Sequence, residues 1–304
     1  MTPRGSPGEI GRERRAPARF FAAWPGAAAR TALLTVLALI AFAANSVLCR
    51  LALRGGAIDA GSFTALRIAS GAVGLGLLTA LLGKRGSGGS WSEAWLLFLY
   101  AAAFSFSYLK LSAGTGALVL FASVQITMIA AGHHLGERPG RLEWAGLALA
   151  CGGLVGLLLP GWTAPSWTGL GLMGAAGVAW GGYSLWGRGR REPLIATRGN
   201  FVRATIPALA VGLFAFPSFR WSGKGALLAV VSGALTSGMG YVLWYAALQG
   251  LTATRAAIVQ LAVPVLVAIA GVLLLSEGIT LRLAASSGLI LAGIGVAILG
   301  RGRA

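Results

Sequence analysis

Uncharged apolar runs recur along the whole chain and restrict the environment in which it can fold. Residues 31–49 and 256–275 contain no Asp, Glu, Lys or Arg, and each is close to the ~20 residues that a helix needs to cross a bilayer. Only 11% of the 304 residues are charged, whereas a soluble domain carries roughly 25%. We therefore expect an all-α integral membrane protein, with lipid as the solvent of its outer surface.

Apolar runs separated by Gly, Pro and charged residues predict ten transmembrane helices. Connectors such as 83–90 and 160–165 are short, so little room remains for a domain outside the membrane. We predict a basic cytoplasmic tail at 1–30, a first five-helix repeat at 31–159 and a second at 169–300. The predicted spans are 31–49, 62–82, 94–111, 115–135, 142–159, 169–187, 199–217, 225–248, 254–275 and 282–300.

The formal net charge of +17 raises the question of a nucleic-acid partner, since clustered Lys and Arg displace counterions from phosphate. The distribution argues against it, because only Arg67 and Arg203 lie inside spans and the other basic residues lie in the tail or near helix ends. With both termini in the cytoplasm, the inner side holds 17 basic residues and the outer side 6. This excess is typical of inner-membrane proteins, so we expect membrane lipid and no nucleic acid as a partner.

The second half of the chain repeats the first, because residues 38–159 align with 176–300 with few gaps. The segment 42–50, FAANSVLCR, aligns with 180–188, WGGYSLWGR. An odd number of spans in each half inverts the second copy in the membrane relative to the first. The repeat therefore predicts two inverted five-helix bundles around a central cavity. It also favours an uncleaved first span over a signal peptide, since the sixth span is its full-length counterpart.

These features resemble the drug/metabolite transporter superfamily of EamA type over roughly residues 31–300. The shared features are two five-helix halves, an aromatic residue before two small ones in spans one and six, and a Glu ending spans four and nine, here Glu137 and Glu277. The resemblance implies a carrier of metabolites, and one branch, the YddG-like exporters, implies export of aromatic and other amino acids. The chain departs from the pattern at Phe42, where the family has Trp, and at Gln125, which aligns with Pro264.

Polar residues inside spans are the first candidates for a substrate site, because an unsatisfied polar group in hydrocarbon is costly. Pro264 lacks an amide donor, which predicts a free carbonyl beside the side chain of Gln260 on one face of span nine. Gln125 can both donate to and accept from a zwitterion such as an amino acid. Asn45 needs a partner inside the bundle. For both glutamines a structural role, as part of a kink or as a link between helices, stays open.

Aromatic residues at helical spacing are the second group of candidates. They can line a cavity for apolar or cationic ligands through contact area and ring quadrupole, and the alternative is that they only pack. The candidates for substrate contact are Tyr100, Tyr108, Trp180, Tyr183, Tyr241 and Trp244.

Two arginines, Arg67 and Arg203, lie at matching depths in spans two and seven. We expect their side chains to extend to the lipid headgroups, and contact with a substrate carboxylate is the alternative. The eight acidic residues lie in tails, in loops or at helix ends. This distribution argues against antiport driven by a carboxylate at the membrane centre.

The sequence favours a secondary transporter that moves small metabolites, foremost aromatic or neutral amino acids, out of the cytoplasm by alternating access. A multidrug or cation exporter of the same superfamily is the first alternative, and a membrane-embedded enzyme or a channel is the second. Only two His residues are present and no phosphate-binding Gly-Lys-Ser loop. We expect no cofactor, no bound metal and no catalytic residues, and a monomer or weak dimer.

Overall fold

Helices make up nearly all of the chain that the structure, a computed structural model, describes. The described residues are 26–111, 113–137, 140–158, 166–215, 219–275 and 281–299, so most of the predicted tail and Glu277 lie outside them. Ten helical segments lie within these ranges. They are α1 Ala27–Arg54, α2 Ala60–Leu81, α3 Trp91–Tyr108, α4 Ala113–His134, α5 Arg141–Leu158, α6 Trp167–Gly187, α7 Pro193–Phe214, α8 Gly223–Leu248, α9 (Ala253–Gln260 and Ala262–Leu275) and α10 Leu281–Leu299.

The observed helices begin and end within a few residues of the predicted spans, and the largest differences are at α1 and α7. The first helix continues to Arg54, beyond the predicted end at residue 49. The seventh begins at Pro193 rather than at residue 199, because proline suits the first turn of a helix. In both places the helix extends into a charged segment that an apolar run does not include.

Capping side chains fix where several helices begin. Each accepts a hydrogen bond from a backbone amide of the first turn, which satisfies a donor that has no partner within the helix. The capping residues are Asp59 for α2, Ser90 for α3, Ser166 for α6, Ser222 for α8 and Thr252 for α9.

Two helices of the second half are interrupted near their middle. Residues Ser232–Met239 of α8 form a π-helix between two α-helical parts. In α9 the helix stops at Gln260 and resumes at Ala262, so the break lies just before Pro264. This agrees with the expectation from the proline, which has no amide hydrogen to offer to the carbonyl of Gln260.

The helices pack in the symmetric pattern that a duplicated sequence predicts. Each of α2, α4 and α5 packs against its own counterpart, which is α7, α9 and α10 respectively. The contact of α3 with α6 is matched by that of α8 with α1, and the contact of α3 with α7 by that of α8 with α2. Two related halves around a pseudo-two-fold axis produce this arrangement.

The outer surface of the bundle is apolar. Leu81, Ile126 and Phe214 are 84, 72 and 87% exposed, which is expected where lipid covers the surface. Four described stretches are long and apolar enough to cross a membrane on their own: Ala27–Arg54, Ala60–Leu81, Gly223–Leu248 and Ala253–Gly271. The fold class predicted from the sequence, a helical membrane protein, is confirmed.

Candidate functional site

Aromatic rings fill the centre of the bundle, where α1, α3, α6 and α8 meet. The ring of Trp180 lies 5.1 Å from Phe42, 5.0 Å from Tyr100 and 4.7 Å from Tyr241, measured between ring centroids. It also stacks on Tyr183 at 5.7 Å. All five side chains are buried. We call this group the aromatic centre.

The structure joins five of the six predicted aromatic candidates in this region and places the sixth at its edge. Trp244 contacts Phe42 at 5.6 Å and donates through Nε1 to the hydroxyl of Ser184. Tyr108 lies at the end of α3 and contacts Phe104 edge-on, and its backbone carbonyl accepts a hydrogen bond from Arg50. Tyr108 therefore belongs to the wall of the bundle near the loop between α3 and α4.

A ring of hydrogen bonds beside the aromatic centre connects four helices. Asn45 of α1 donates through Nδ2 to the hydroxyl of Tyr100 in α3 at 3.3 Å. Arg67 of α2 donates to Tyr100 at 3.4 Å, to Tyr241 at 2.7 Å and to Ser237 of α8 at 2.9 Å. Ser237 in turn donates to Oδ1 of Asn45 at 3.3 Å, which closes the ring. We call these five residues the polar ring.

The prediction that Arg67 extends to the headgroups is wrong. Its side chain is only 1% exposed and points into the bundle, with its guanidinium 5.3 Å from the ring of Tyr100 and 5.4 Å from that of Phe104. Hydroxyl acceptors and aromatic faces, both favourable to a cation, surround it. Sequence spacing alone does not reveal them, because they come from α3 and α8.

The counterpart in the other half, Arg203, has a different environment. Its Nη1 donates to the carbonyl of Gly88, in the loop before α3, and to the carbonyl of Gly199, both at 2.9 Å. Arg203 thus extends toward the loop before α3 at the end of the bundle, whereas Arg67 turns inward. The two halves of the chain present different chemistry at symmetric positions.

The π-helix of α8 accounts for the part of the polar ring that sequence spacing does not predict. In an α-helix, residues five apart lie on different faces, whereas in a π-helix they share one. Ser232 and Ser237 accordingly both donate to Oδ1 of Asn45, at 2.7 and 3.3 Å. Asn45 was predicted to need a partner inside the bundle, and these hydroxyls are its partners.

The two glutamines bind to protein groups in this conformation. Gln260 accepts from Nε1 of Trp180 at 2.8 Å and donates to the carbonyl of Ala256 at 3.0 Å. Gln125 donates to the carbonyl of Ala257 in α9, while its buried Oε1 has no hydrogen-bond partner among the described residues. Gln260 therefore connects the break in α9 to the aromatic centre, and Gln125 keeps one acceptor free.

The aromatic centre leaves very little open space. The cavity between Phe42, Ser46, Tyr100, Phe121 and Trp180 has a volume of about 10 Å³, which is about the space of one water molecule. The predicted central site is thus closed in this structure, and a ligand can enter only if the rings move.

Ion pairs close one end of the bundle. Glu93, in the first turn of α3, is fully buried; it accepts from Nε of Arg190 at 2.8 Å and from Nδ2 of Asn200 at 2.7 Å. Lys84 pairs with Glu192 at 2.6 Å across the same loops. The predicted position of Glu93 at a helix end is confirmed, but its burial does not follow from the sequence pattern.

A second cluster of charges lies at the same end. Glu137 pairs with Arg188 at 2.9 Å and accepts from the backbone amides of Ala253 and Thr254, which begin α9. Burial raises the pKa of Glu137, but the two amide hydrogen bonds and Arg188 outweigh it, so that the pKa lies below its ordinary value. The carboxylate therefore stays charged at neutral pH and fixes the start of α9.

The opposite end is closed by backbone contacts instead. Ile58, between α1 and α2, forms an antiparallel bridge with Trp221, between α7 and α8. Asp59 accepts from the amide of Arg220 at 3.3 Å and caps α2 through Ser62. The aromatic centre thus lies between one end of the bundle closed by ion pairs and one closed by backbone contacts.

Comparison with known proteins identifies relatives over most of the chain. The EamA-like transporter family model matches residues 167–299. An uncharacterized protein of Pseudomonas aeruginosa is 51% identical over 278 residues, which cover 90% of this chain and 97% of that protein. An uncharacterized transporter of Archaeoglobus fulgidus is 29% identical over 194 residues, covering 62% of this chain and 68% of that one.

A solved crystal structure confirms the fold. It superimposes with a TM-score of 0.74 at 21% identity, covering 90% of this chain and 99% of the other. Together with the helical bundle and its symmetric packing, these matches show that the chain belongs to the EamA-like transporter family of the drug/metabolite transporter superfamily.

Proposed function

We propose that this transporter exports aromatic or neutral amino acids from the cytoplasm by alternating access. The observation that carries the proposal is the aromatic centre with its polar ring, which is buried where the two halves meet and closed at both ends. Aromatic faces suit an apolar side chain, and the amide, hydroxyl and guanidinium groups suit a zwitterion. The halves at 31–159 and 169–300 would rock against each other to open one end at a time.

Two alternatives fit the centre less well. A multidrug or cation exporter would have to place a second positive charge next to Arg67, and like charges in a low-dielectric site repel strongly. A channel needs a continuous pore, whereas the cavity at the centre measures about 10 Å³. A carrier that opens alternately agrees with both observations.

The charges of the loops support cytoplasmic termini in the inner membrane. The four described ion pairs join loops or helix ends on the face that carries the loop between α2 and α3. By helix count, the start of α1 lies on this same face. We propose that it is the cytoplasmic face, in line with the excess of basic residues there. Membership of the YddG-like branch and a monomeric or weakly dimeric state stay predictions.

Counterflow in proteoliposomes tests the proposal. Vesicles loaded with unlabelled phenylalanine should accumulate labelled phenylalanine transiently and saturably, because a carrier exchanges bound substrate without net driving force. Vesicles with Trp180→Ala protein, which lacks the central ring, should accumulate at least tenfold less. Flux that does not saturate, or absence of counterflow with all twenty amino acids, would contradict amino-acid export.

A further inference from the structure

We propose that Arg67 is the anchor for a carboxylate of the substrate, so that the site takes organic acids, amino acids among them, and rejects the corresponding amines. That the bound molecule is also transported rests on the proposed function, whereas its binding to Arg67 does not. The structural basis of the proposal is a buried cation that pairs with no acidic side chain among the described residues.

The charge of Arg67 is not neutralised by any described acidic residue. Asp59, which caps the start of the same helix, lies eight residues away, about 12 Å along the axis, and accepts from the amides of Ser62 and Arg220. The other described acidic side chains belong to the ion pairs at the end of the bundle: Glu93, Glu137, Glu143 and Glu192. Moving a guanidinium out of water is unfavourable, and a ligand anion would offset that cost.

The hydrogen bonds of Arg67 are also incomplete. A guanidinium has five N–H groups, and those on Nε and Nη2 reach Ser237, Tyr100 and Tyr241. The buried Nη1 has no hydrogen-bond partner in the part of the chain that the structure describes. Two N–H groups thus remain for a ligand, and a carboxylate oxygen is the acceptor that forms the strongest such bond.

The surroundings hold the guanidinium in place and select what else can bind. Tyr241 and Ser237 orient it from α8, so its free edge has a fixed direction. Tyr100 accepts from Arg67, and its ring also lines the small central cavity. A carboxylate that reaches Arg67 must therefore displace Tyr100 or its neighbour Trp180, which couples binding to movement of the aromatic centre.

Two compounds of similar shape and opposite charge test the anchor without any substitution. 3-Phenylpropionate and phenethylamine share a phenyl ring and a two-carbon chain, and they differ in carrying a carboxylate or an ammonium group. In detergent, 3-phenylpropionate should raise the melting temperature of the wild-type protein in a saturable manner, because a ligand that binds the folded state stabilises it. Phenethylamine should leave the melting temperature unchanged.

Substitutions locate the effect. In Arg67→Met protein the rise should be lost, and in Arg67→Lys protein it should need at least tenfold more ligand, since an ammonium lacks the fork of N–H groups. Arg203→Met, which removes the symmetric arginine, should keep the rise. If Arg67→Met does not fold, two measurements still test the anchor. They are the ligand concentration that Arg67→Lys protein requires and the comparison of the two compounds on wild-type protein.

The outcomes separate the anchor from the transport function. An equal shift with phenethylamine, no shift with 3-phenylpropionate, or an unchanged shift in Arg67→Met protein would overturn the anchor even if amino-acid counterflow is observed. A shift that depends on Arg67, without counterflow of any amino acid, would support the anchor and overturn amino-acid export.

Discussion

Glu93→Ala should lower the free energy of unfolding by about 3 kcal/mol, because the buried carboxylate is the acceptor of the buried Asn200 amide and the partner of the partly buried Arg190, and its removal leaves both uncompensated. Glu93 is fully buried and accepts from both Arg190 and Asn200. The substitution leaves the amide of Asn200 without its acceptor and Arg190 without its counter-charge. Equilibrium unfolding in mixed micelles, followed by circular dichroism, measures the difference.

A double-mutant cycle shows how much of this loss belongs to the pair. The cycle compares the two single variants, Glu93→Ala and Arg190→Ala, with the double variant. The coupling free energy between the two residues should be about 1 to 3 kcal/mol. Glu192→Ala is the matched control on the same face, since the Glu192 carboxylate is 58% exposed where that of Glu93 is buried, and an exposed pair contributes less than about 1 kcal/mol. Equal losses for Glu93→Ala and Glu192→Ala would contradict the burial that we describe.

Gly177→Ala should lower the free energy of unfolding by about 2 kcal/mol, because overpacking a tight contact typically costs about 1–3 kcal/mol. A Cβ at this position of α6 would collide with the carbonyl of Leu120 and come within 2.6 Å of the Cβ of Ser123, both in α4. Trp180 lies on the same helix, so we also expect slower counterflow. The measurement is the same unfolding experiment, with the transport assay beside it.

Gly171 provides a control on the same helix. A Cβ there would meet nothing within 4 Å, so Gly171→Ala should be neutral or stabilise by up to about 1 kcal/mol, through the better helix propensity of alanine. If Gly171→Ala and Gly177→Ala change the free energy of unfolding equally, the close contact between α4 and α6 does not account for the effect of Gly177→Ala.

The fold could be predicted from the sequence because its determinants are local or repetitive. Apolar runs of bilayer length define the helices, and the alignment of 42–50 with 180–188 reveals the duplication. Helix ends were less exact, as at Pro193, because a helix can continue into a charged segment beyond the apolar run. The apolar runs and the duplication can both be recognised from the order of residues along the chain alone.

The candidate site was predicted in part. Aromatic spacing identified Trp180 and Tyr241, and a lone amide in an apolar span identified Asn45. The inward turn of Arg67 was missed, since acceptors from α3 and α8 decide it. The burial of Glu93 was missed for the same reason, because Arg190 and Asn200 belong to the other half of the chain. The position of a residue along its helix predicts how deep it lies in the bundle, but partners from other helices decide which way its side chain points.

The inverted repeat also does not predict how the halves differ in chemistry. Arg67 and Arg203 align in sequence, yet one binds hydroxyls at the centre and the other binds the carbonyl of Gly88 near a loop. The π-helix Ser232–Met239 in α8 supplies Ser237 as a partner of Arg67. Asymmetry of this kind lets a symmetric scaffold hold one substrate in one orientation.

Distances across the two closed ends, measured together, test alternating access most directly. Spin labels on the exposed residues Arg54 and Lys224 report on one end and labels on Arg85 and Arg191 on the other, in protein whose Cys49 and Cys151 are replaced by alanine. Pulsed electron resonance with and without the amino acid found by counterflow should show one distance lengthening as the other shortens. Ends that open together, or distances that do not respond to substrate, would contradict a carrier that exposes Arg67 to one side at a time.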